Sequence, residues 1–224
     1  MAEITAAHVK QLRDRTGAGM MDCKNALTEA GGDEEKAVEI IQKKGLAKAA
    51  KKAGAIAAEG VIHAYIHPGS RLGVLVEVNC QTDFVARNEE FVRLVDDIGL
   101  QIASMSPLYV RKEEIASQHI EKQRDLLRAQ MAEEDATSGK TRPEDVTNKI
   151  LEGKLSKWST EFSLVSQVSV RDGEKTIQQL CDELSAKLGE KIAVRRFVRF
   201  ELGEGIEKKA VDLAADVAET LRTA

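Results

Sequence analysis

With 224 residues, 42% of them hydrophobic, 31% charged and only 4% aromatic, the chain has material for one large or two small cores in a helix-rich architecture. A formal charge of −4 and a pI of about 5.7 disfavour wholesale binding to nucleic-acid backbones. No apolar run approaches the ~20 residues that a membrane helix needs, and no basic-then-apolar leader is visible. The scattered cysteines Cys23, Cys80 and Cys181 support neither a disulfide scaffold nor a zinc cage, so a reducing, cytoplasmic compartment is expected, while the charge and the missing apolar run make direct contact with nucleic acid or membrane not expected.

Residues 1–54 read as a small helical module. Thr5 is placed to cap a first helix with Val9 and Leu12 on one face, and Gly17-Ala18-Gly19 stops it. A second helix starts near Met20, turns Leu27 and Ala30 inward and ends at Gly31-Gly32. Asp33 caps a third, striped by Ala37, Val38, Ile40 and Ile41 and closed by Gly45. Such a core is marginal by area alone. The arrangement resembles a ubiquitin-associated-type three-helix fold. Residues 46–54, LAKAAKKAG, read as a linker helix. Lys48, Lys51 and Lys52 lack interleaved aromatics and suit a solvated face better than a nucleic-acid patch. Met20 and Met21 beside the glycine turn are core filler more often than recognition surface.

Residues 61–78 carry the clearest strand signal. Ile62, Ala64 and Ile66 share one face, Pro68-Gly69-Ser70-Arg71 is a turn, and residues 72–78 return as the second strand of a hairpin. His63 and His67 share a face, but their Cα atoms stand roughly 13 Å apart at strand rise, too far for one metal, and they read as surface residues of a half-exposed sheet.

The stretch NCQTDFVARN, Asn79 to Asn88, then turns strand into helix, and corners of this kind carry function on a rigid frame. Two readings of Asp83-Phe84 compete. Phe84 packs beneath the following helix while Asp83 caps its first turn, or the pair stands exposed, with the carboxylate competing for a metal or phosphate environment and the ring wedging apolar surfaces apart. The helix that follows runs from Glu89 to about Met105 on Phe91, Leu94, Val95, Ile98 and Ile102, and Ser106-Pro107 ends it.

Residues 108–167 change character. A charged helix over residues 112–131 carries an irregular stripe of Ile115, Ile120, Leu127 and Met131, and residues 133–142 form a polar loop. Pro143 opens a second helix through Ile150, Leu151, Leu155 and Trp158, so the pair describes a projecting helical hairpin with Trp158 as a packing anchor at its base. Residues 174–188 form an amphipathic helix with Ile177, Leu180, Cys181, Leu184 and Leu188 inward. Residues 192–202 alternate as a third strand whose Arg195, Arg196 and Arg199 cover a solvated face. Gly203 to Lys208 breaks the sheet, and residues 209–221 form a terminal amphipathic helix.

RTGAGMMDCK at residues 15–24, VLVEVNCQTDFVARN at 74–88, KILEGKLSKW and FSLVSQ within 149–167, and FELGEGIEKK beginning at Phe200 together resemble the elongation factor Ts family. The expected fold is α+β. A UBA-like three-helix domain with its linker helix occupies residues 1–54, and an α/β core with an antiparallel sheet of about three strands occupies 55–107 and 168–203. A helical-hairpin coiled-coil insertion spans 108–167 and a C-terminal helical module 204–224. The resemblance implies a guanine nucleotide exchange factor that binds elongation factor Tu in its GDP-bound and nucleotide-free states. It implies that Asp83 and Phe84 push into the partner's G domain and disturb its magnesium and phosphate site, with Thr82 and Val85 shaping the tip. Met20 and Met21, and more weakly Leu12, press on a helix of that domain, and the C-terminal module docks there too. The nucleotide and magnesium belong to the partner, so the chain needs no cofactor, metal ligand or catalytic residue of its own. Long members of the family carry two related α/β subdomains where this chain shows one, so either the helical hairpin or a homodimer supplies the missing surface.

Two other readings remain. A thiol nucleophile at Cys80 with His63 and Asp83 lacks a motif that joins base, oxyanion hole and pocket. A UBA-type adaptor or scaffold without exchange activity accounts for residues 1–54 and the hairpin but leaves the corner unexplained.

Overall fold

The computed structural model describes residues 4–51, 54–139 and 142–206. Helix α1 spans Ala6–Thr16, with the Thr5 hydroxyl accepting from His8 N at 3.3 Å and Gly17 closing it in the left-handed conformation at φ 67°. Helix α2 spans Met20–Glu29 and α3 spans Glu34–Lys51. Their inward stripes bury Val9, Leu12, Cys23, Ala26, Leu27 and Ala37 in a cluster separate from the main core. The stop expected at Gly45 does not occur, because α3 runs on through it. A Cβ at Gly45 would lie 2.9 Å from the Cβ of Ala186, so this glycine lets two helices cross closely instead of ending one. The side chains of Lys48 and Lys51, and residue 52 itself, lie outside the described residues.

Strands β1, Glu59–Ile66, β2, Leu72–Cys80, and β3, Ala193–Glu201, form an antiparallel three-stranded sheet in that order. Val74, Val76, Val78 and Val194 face helix α5, Glu89–Met105, whose Phe91, Leu94, Val95, Ile98 and Ile102 complete the larger core. The apolar alternation of β1 faces the other way from that core. Ile62, Ala64 and Ile66 stand exposed, while His63 and Tyr65 lie on the side covered by α5. Helix α5 comes so near that a Cβ at Gly99 would sit 2.8 Å from Tyr65 Cβ. His63 is therefore not a plain surface residue, and its Nε2 lies 3.4 Å from Asp96 Oδ1. In β3 a bulge opposite Glu77 and Val78 breaks the alternation. Arg195 and Arg196 close on Glu77 at 3.1 and 2.6 Å, whereas Arg199 pairs with Glu201 at 2.9 Å. Phe197 packs inward between them, so the three arginines do not cover one face.

Helix α6, Ser117–Ser138, and helix α7, Glu144–Phe162, make the projecting hairpin, with Met131, Leu151 and Leu155 buried along its seam. Residues 133–138, expected in the loop, prolong α6 until Gly139 caps it, and residues 112–114 form a separate 3-10 turn. Ile115 is buried ahead of the helix. The hairpin is rooted by backbone bonds: Tyr109 N donates to Phe162 O at 3.1 Å, and Leu164 N to Tyr109 O at 2.9 Å. Trp158 rests against Phe162 with ring centroids 5.6 Å apart. Helix α8, Ile177–Leu188, starts later than its amphipathic pattern suggests because Asp172 Oδ1 draws the amides of Glu174 and Lys175 into a turn. Thr176 and Gln179 then form a capping box. The expected terminal helix over 209–221 lies outside the described residues, and none of the described helices is long and apolar enough to cross a membrane.

Candidate functional site

β2 delivers the chain at Cys80 to a helix of four residues, α4, Asp83–Ala86. The Thr82 hydroxyl accepts from Val85 N at 3.5 Å, and Asn88 Oδ1 accepts from Glu90 N at 2.9 Å and Phe91 N at 3.4 Å. The corner therefore carries a cap at each side. Val85 packs half-buried against the main core and Ala86 is buried, which leaves Asp83 and Phe84 outward. Phe84 is 83% exposed, whereas Phe91 is sealed beneath the sheet. This overturns the reading in which Phe84 packs under the helix and Asp83 caps it: Thr82 is the cap and Phe91 is the ring in the core. Asp83 pairs with Arg87 at 3.1 Å on the same exposed turn.

The corner has a support that no local pattern announced. Glu190, just after α8, accepts from Gln81 N at 3.1 Å and Thr82 N at 3.0 Å through Oε2, and from the Thr82 hydroxyl at 2.7 Å through Oε1. Lys191 N returns a bond to Gln81 Oε1 at 3.2 Å. Nearby, Lys187 Nζ donates to both carboxylate oxygens of Glu90 at 2.8 and 2.7 Å, and its stem crosses Gly17 so closely that any Cβ there would overlap it.

Across that contact lies the glycine turn. Met20 and Met21 are 47% and 66% exposed on the first turn of α2, so they are not core filler. Leu12 is fully buried. Its expected contact with a partner gives way to a packing role in the core of the helical module, because a side chain sealed on every side has no surface to offer.

The thiol reading loses its reagent. Cys80 is buried with its thiol donating to Thr82 O at 3.1 Å, and burial, then the charge of Glu190, pushes its pKa up. His63 sits four positions along β1 from Glu59, the residue paired with Cys80, roughly 13 Å away at strand rise. Burial pushes the Cys181 thiol up to about 12. Among the described residues, no three His, Cys, Asp or Glu side chains are placed to hold a metal ion.

The family model described as elongation factor TS matches residues 19–204, which include the corner, the methionines and Glu190. The elongation factor Ts of Desulforamulus reducens is 54% identical over 222 residues, covering 99% of this chain and 100% of the relative. Those of Carboxydothermus hydrogenoformans and Geobacter metallireducens are 53% and 52% identical over 219 and 215 residues, covering 98% and 96% of this chain and 98% and 97% of their own lengths. The chain belongs to the elongation factor Ts family.

Proposed function

We propose that this chain binds elongation factor Tu carrying GDP and drives GDP release by inserting Phe84 into the partner's G domain, with Asp83 beside it disturbing the magnesium and phosphate site. Guanine nucleotide exchange is the role of this family. One observation carries the assignment of the lever. A phenylalanine 83% exposed on a one-turn helix forgoes about 1.5–3 kcal/mol of burial, and a partner surface recovers it. A nucleotide held at nanomolar affinity is bound by about 12 kcal/mol. The factor need not touch it, because stabilising the nucleotide-poor conformation of the partner weakens nucleotide binding reciprocally. Thr82 and Val85 shape and anchor the tip. Met20 and Met21 supply affinity at a separate patch and keep the wedge at high effective concentration. In this reading residues 1–54 are the docking domain, residues 55–107 and 168–203 the exchange core, 108–167 the coiled-coil insertion and 204–224 a further docking module.

Stopped-flow release of fluorescent GDP from elongation factor Tu tests the lever. Phe84→Ala is expected to keep the fold and slow factor-stimulated release about ten- to a hundredfold, the rate equivalent of one ring's burial. Unchanged release removes Phe84 from the mechanism.

The surface that a second α/β subdomain provides in longer relatives comes here from a second copy of the chain. The outer sheet face exposes Ile66, Leu75, Val198 and Phe200 in adjacent cross-strand rows, Ala64–Leu75–Val198 and Ile66–Gly73–Phe200, with Ile62 beside them opposite Glu77. A two-fold axis sets these rows against themselves, and two sheets face to face at ~10 Å bury both. Glu77 on this face is already neutralised by Arg195 and Arg196, so self-apposition brings no unpaired carboxylate together there. Light scattering is expected to report about twice the 24.5 kDa chain mass, and Phe200→Asp to restore the single-chain mass. A wild-type mass of one chain overturns the dimer.

A further inference from the structure

We infer that Glu190 is the positioning residue of the Phe84 wedge, holding the corner from outside so that the ring stays presented to a partner; the inference rests on the exchange reading above. Helix α4 has four residues, too few to repay the cost of its own nucleation. An exposed ring gains by folding back onto apolar surface, so something must oppose that collapse. On the downstream side Val85, Ala86 and the Asn88 cap anchor the corner to the core. On the upstream side the fixed points come from the segment after α8. The Glu190 carboxylate accepts from two successive backbone amides and the Thr82 hydroxyl, and Lys191 N bonds Gln81. These carboxylate bonds are charge-assisted, stronger than neutral ones. They act on Thr82, the residue whose hydroxyl caps α4.

The geometry leading to Glu190 supports the same role. Gly189 ends α8 in the left-handed conformation at φ 72°, which turns the chain so that the next side chain lies under Gln81 and Thr82. One turn earlier, Lys187 grips Glu90 on the other side of the corner and lies against the Gly17 turn that precedes Met20. The last turn of α8 and the residues after it thus brace the wedge on both sides and connect it to the docking patch. Glu190 is half-buried with both oxygens engaged, so it acts through Thr82 and not by touching a partner.

The test is the saturating rate of factor-stimulated GDP release, measured with the full chain alongside the half-saturating factor concentration. Glu190→Ala is expected to lower the saturating rate about tenfold and leave half-saturation unchanged, because the Met20-Met21 patch and the sheet are untouched. Glu190→Gln keeps one acceptor oxygen and is expected to fall between Glu190→Ala and wild type. Phe84→Ala combined with Glu190→Ala is expected to be no slower than Phe84→Ala alone, since a residue acting only through the ring has nothing left to position. If Glu190→Ala does not fold, a reduced saturating rate at unchanged half-saturation in Glu190→Gln carries the same conclusion. Wild-type rates in both variants while Phe84→Ala is slow, or an additive double variant, overturn the inference. Wild-type release with Phe84→Ala overturns the wedge itself.

Discussion

The two exposed apolar sites, the methionine pair and the phenylalanine corner, are built in opposite ways. Met20 and Met21 sit on the first turn of a ten-residue helix that follows Gly19 without a side-chain cap, on a module whose fully buried large side chains are Leu12 and Leu27. Phe84 sits on a four-residue helix capped by Thr82, which Glu190 holds from 108 residues away, over a core of three strands and two helices. Flexible thioethers on a small module suit adaptable docking. A ring with two torsions on a braced turn suits transmission of force, since little of its interaction is lost to local rearrangement. In the proposed reading, affinity and leverage fall to structures of different stiffness.

The largest effects come from hollowing the core of the module that carries each site. Phe91→Ala is expected to destabilise the main core by about 3–5 kcal/mol, and Leu12→Ala the helical module by about 2–5 kcal/mol. Trp158, the chain's one tryptophan, stands against Phe162 at the root of the hairpin, where backbone bonds from Leu164 and Val165 tie the root to the main core, so its fluorescence is expected to follow that core and not the helical module. In urea titrations Phe91→Ala should move the tryptophan transition, and Leu12→Ala should move far-UV circular dichroism while the tryptophan midpoint stays. A tryptophan shift of equal size in both variants would show that the two clusters unfold as one and would erase the contrast. A smaller effect refines it. Met20→Asp is expected to weaken association with elongation factor Tu about tenfold by calorimetry, with stability within about 0.5 kcal/mol of wild type and an unchanged saturating release rate. Unaltered affinity would remove the methionines from docking, and a slower saturating rate would put them in the lever.

Much of the frame was legible along the chain. Thr5, Gly17, Asp33, Asn88 and Gly189 act as helix boundaries where their chemistry predicts, and the β1–β2 hairpin and the α5 stripe stand where the periodicity places them. The corner itself was visible as a string. Its support was not, because Glu190 reaches Thr82 across 108 residues and follows a glycine that marks only the end of a helix. Gly45 carried the opposite signal from its role, since a glycine that ends a helix and one that admits a neighbouring helix look alike until Ala186 is in place. The resemblance extended a contact role, more weakly, to Leu12, and only the packed module shows that side chain to be buried in its core.

Periodicity established which residues alternate, but not which face of the sheet would be covered. In β1 both faces carry apolar side chains, and α5 chose the side of Val61 and Tyr65, leaving Ile62 and Ile66 outside. Local chemistry decides helix ends, turns and the pairing of the β1–β2 hairpin because those interactions close within a few residues, whereas β3 joins β2 from more than a hundred residues away. Exposure of Phe84, the brace at Glu190 and the bare sheet face are properties of which surfaces meet, and these exist only once distant segments have been brought together.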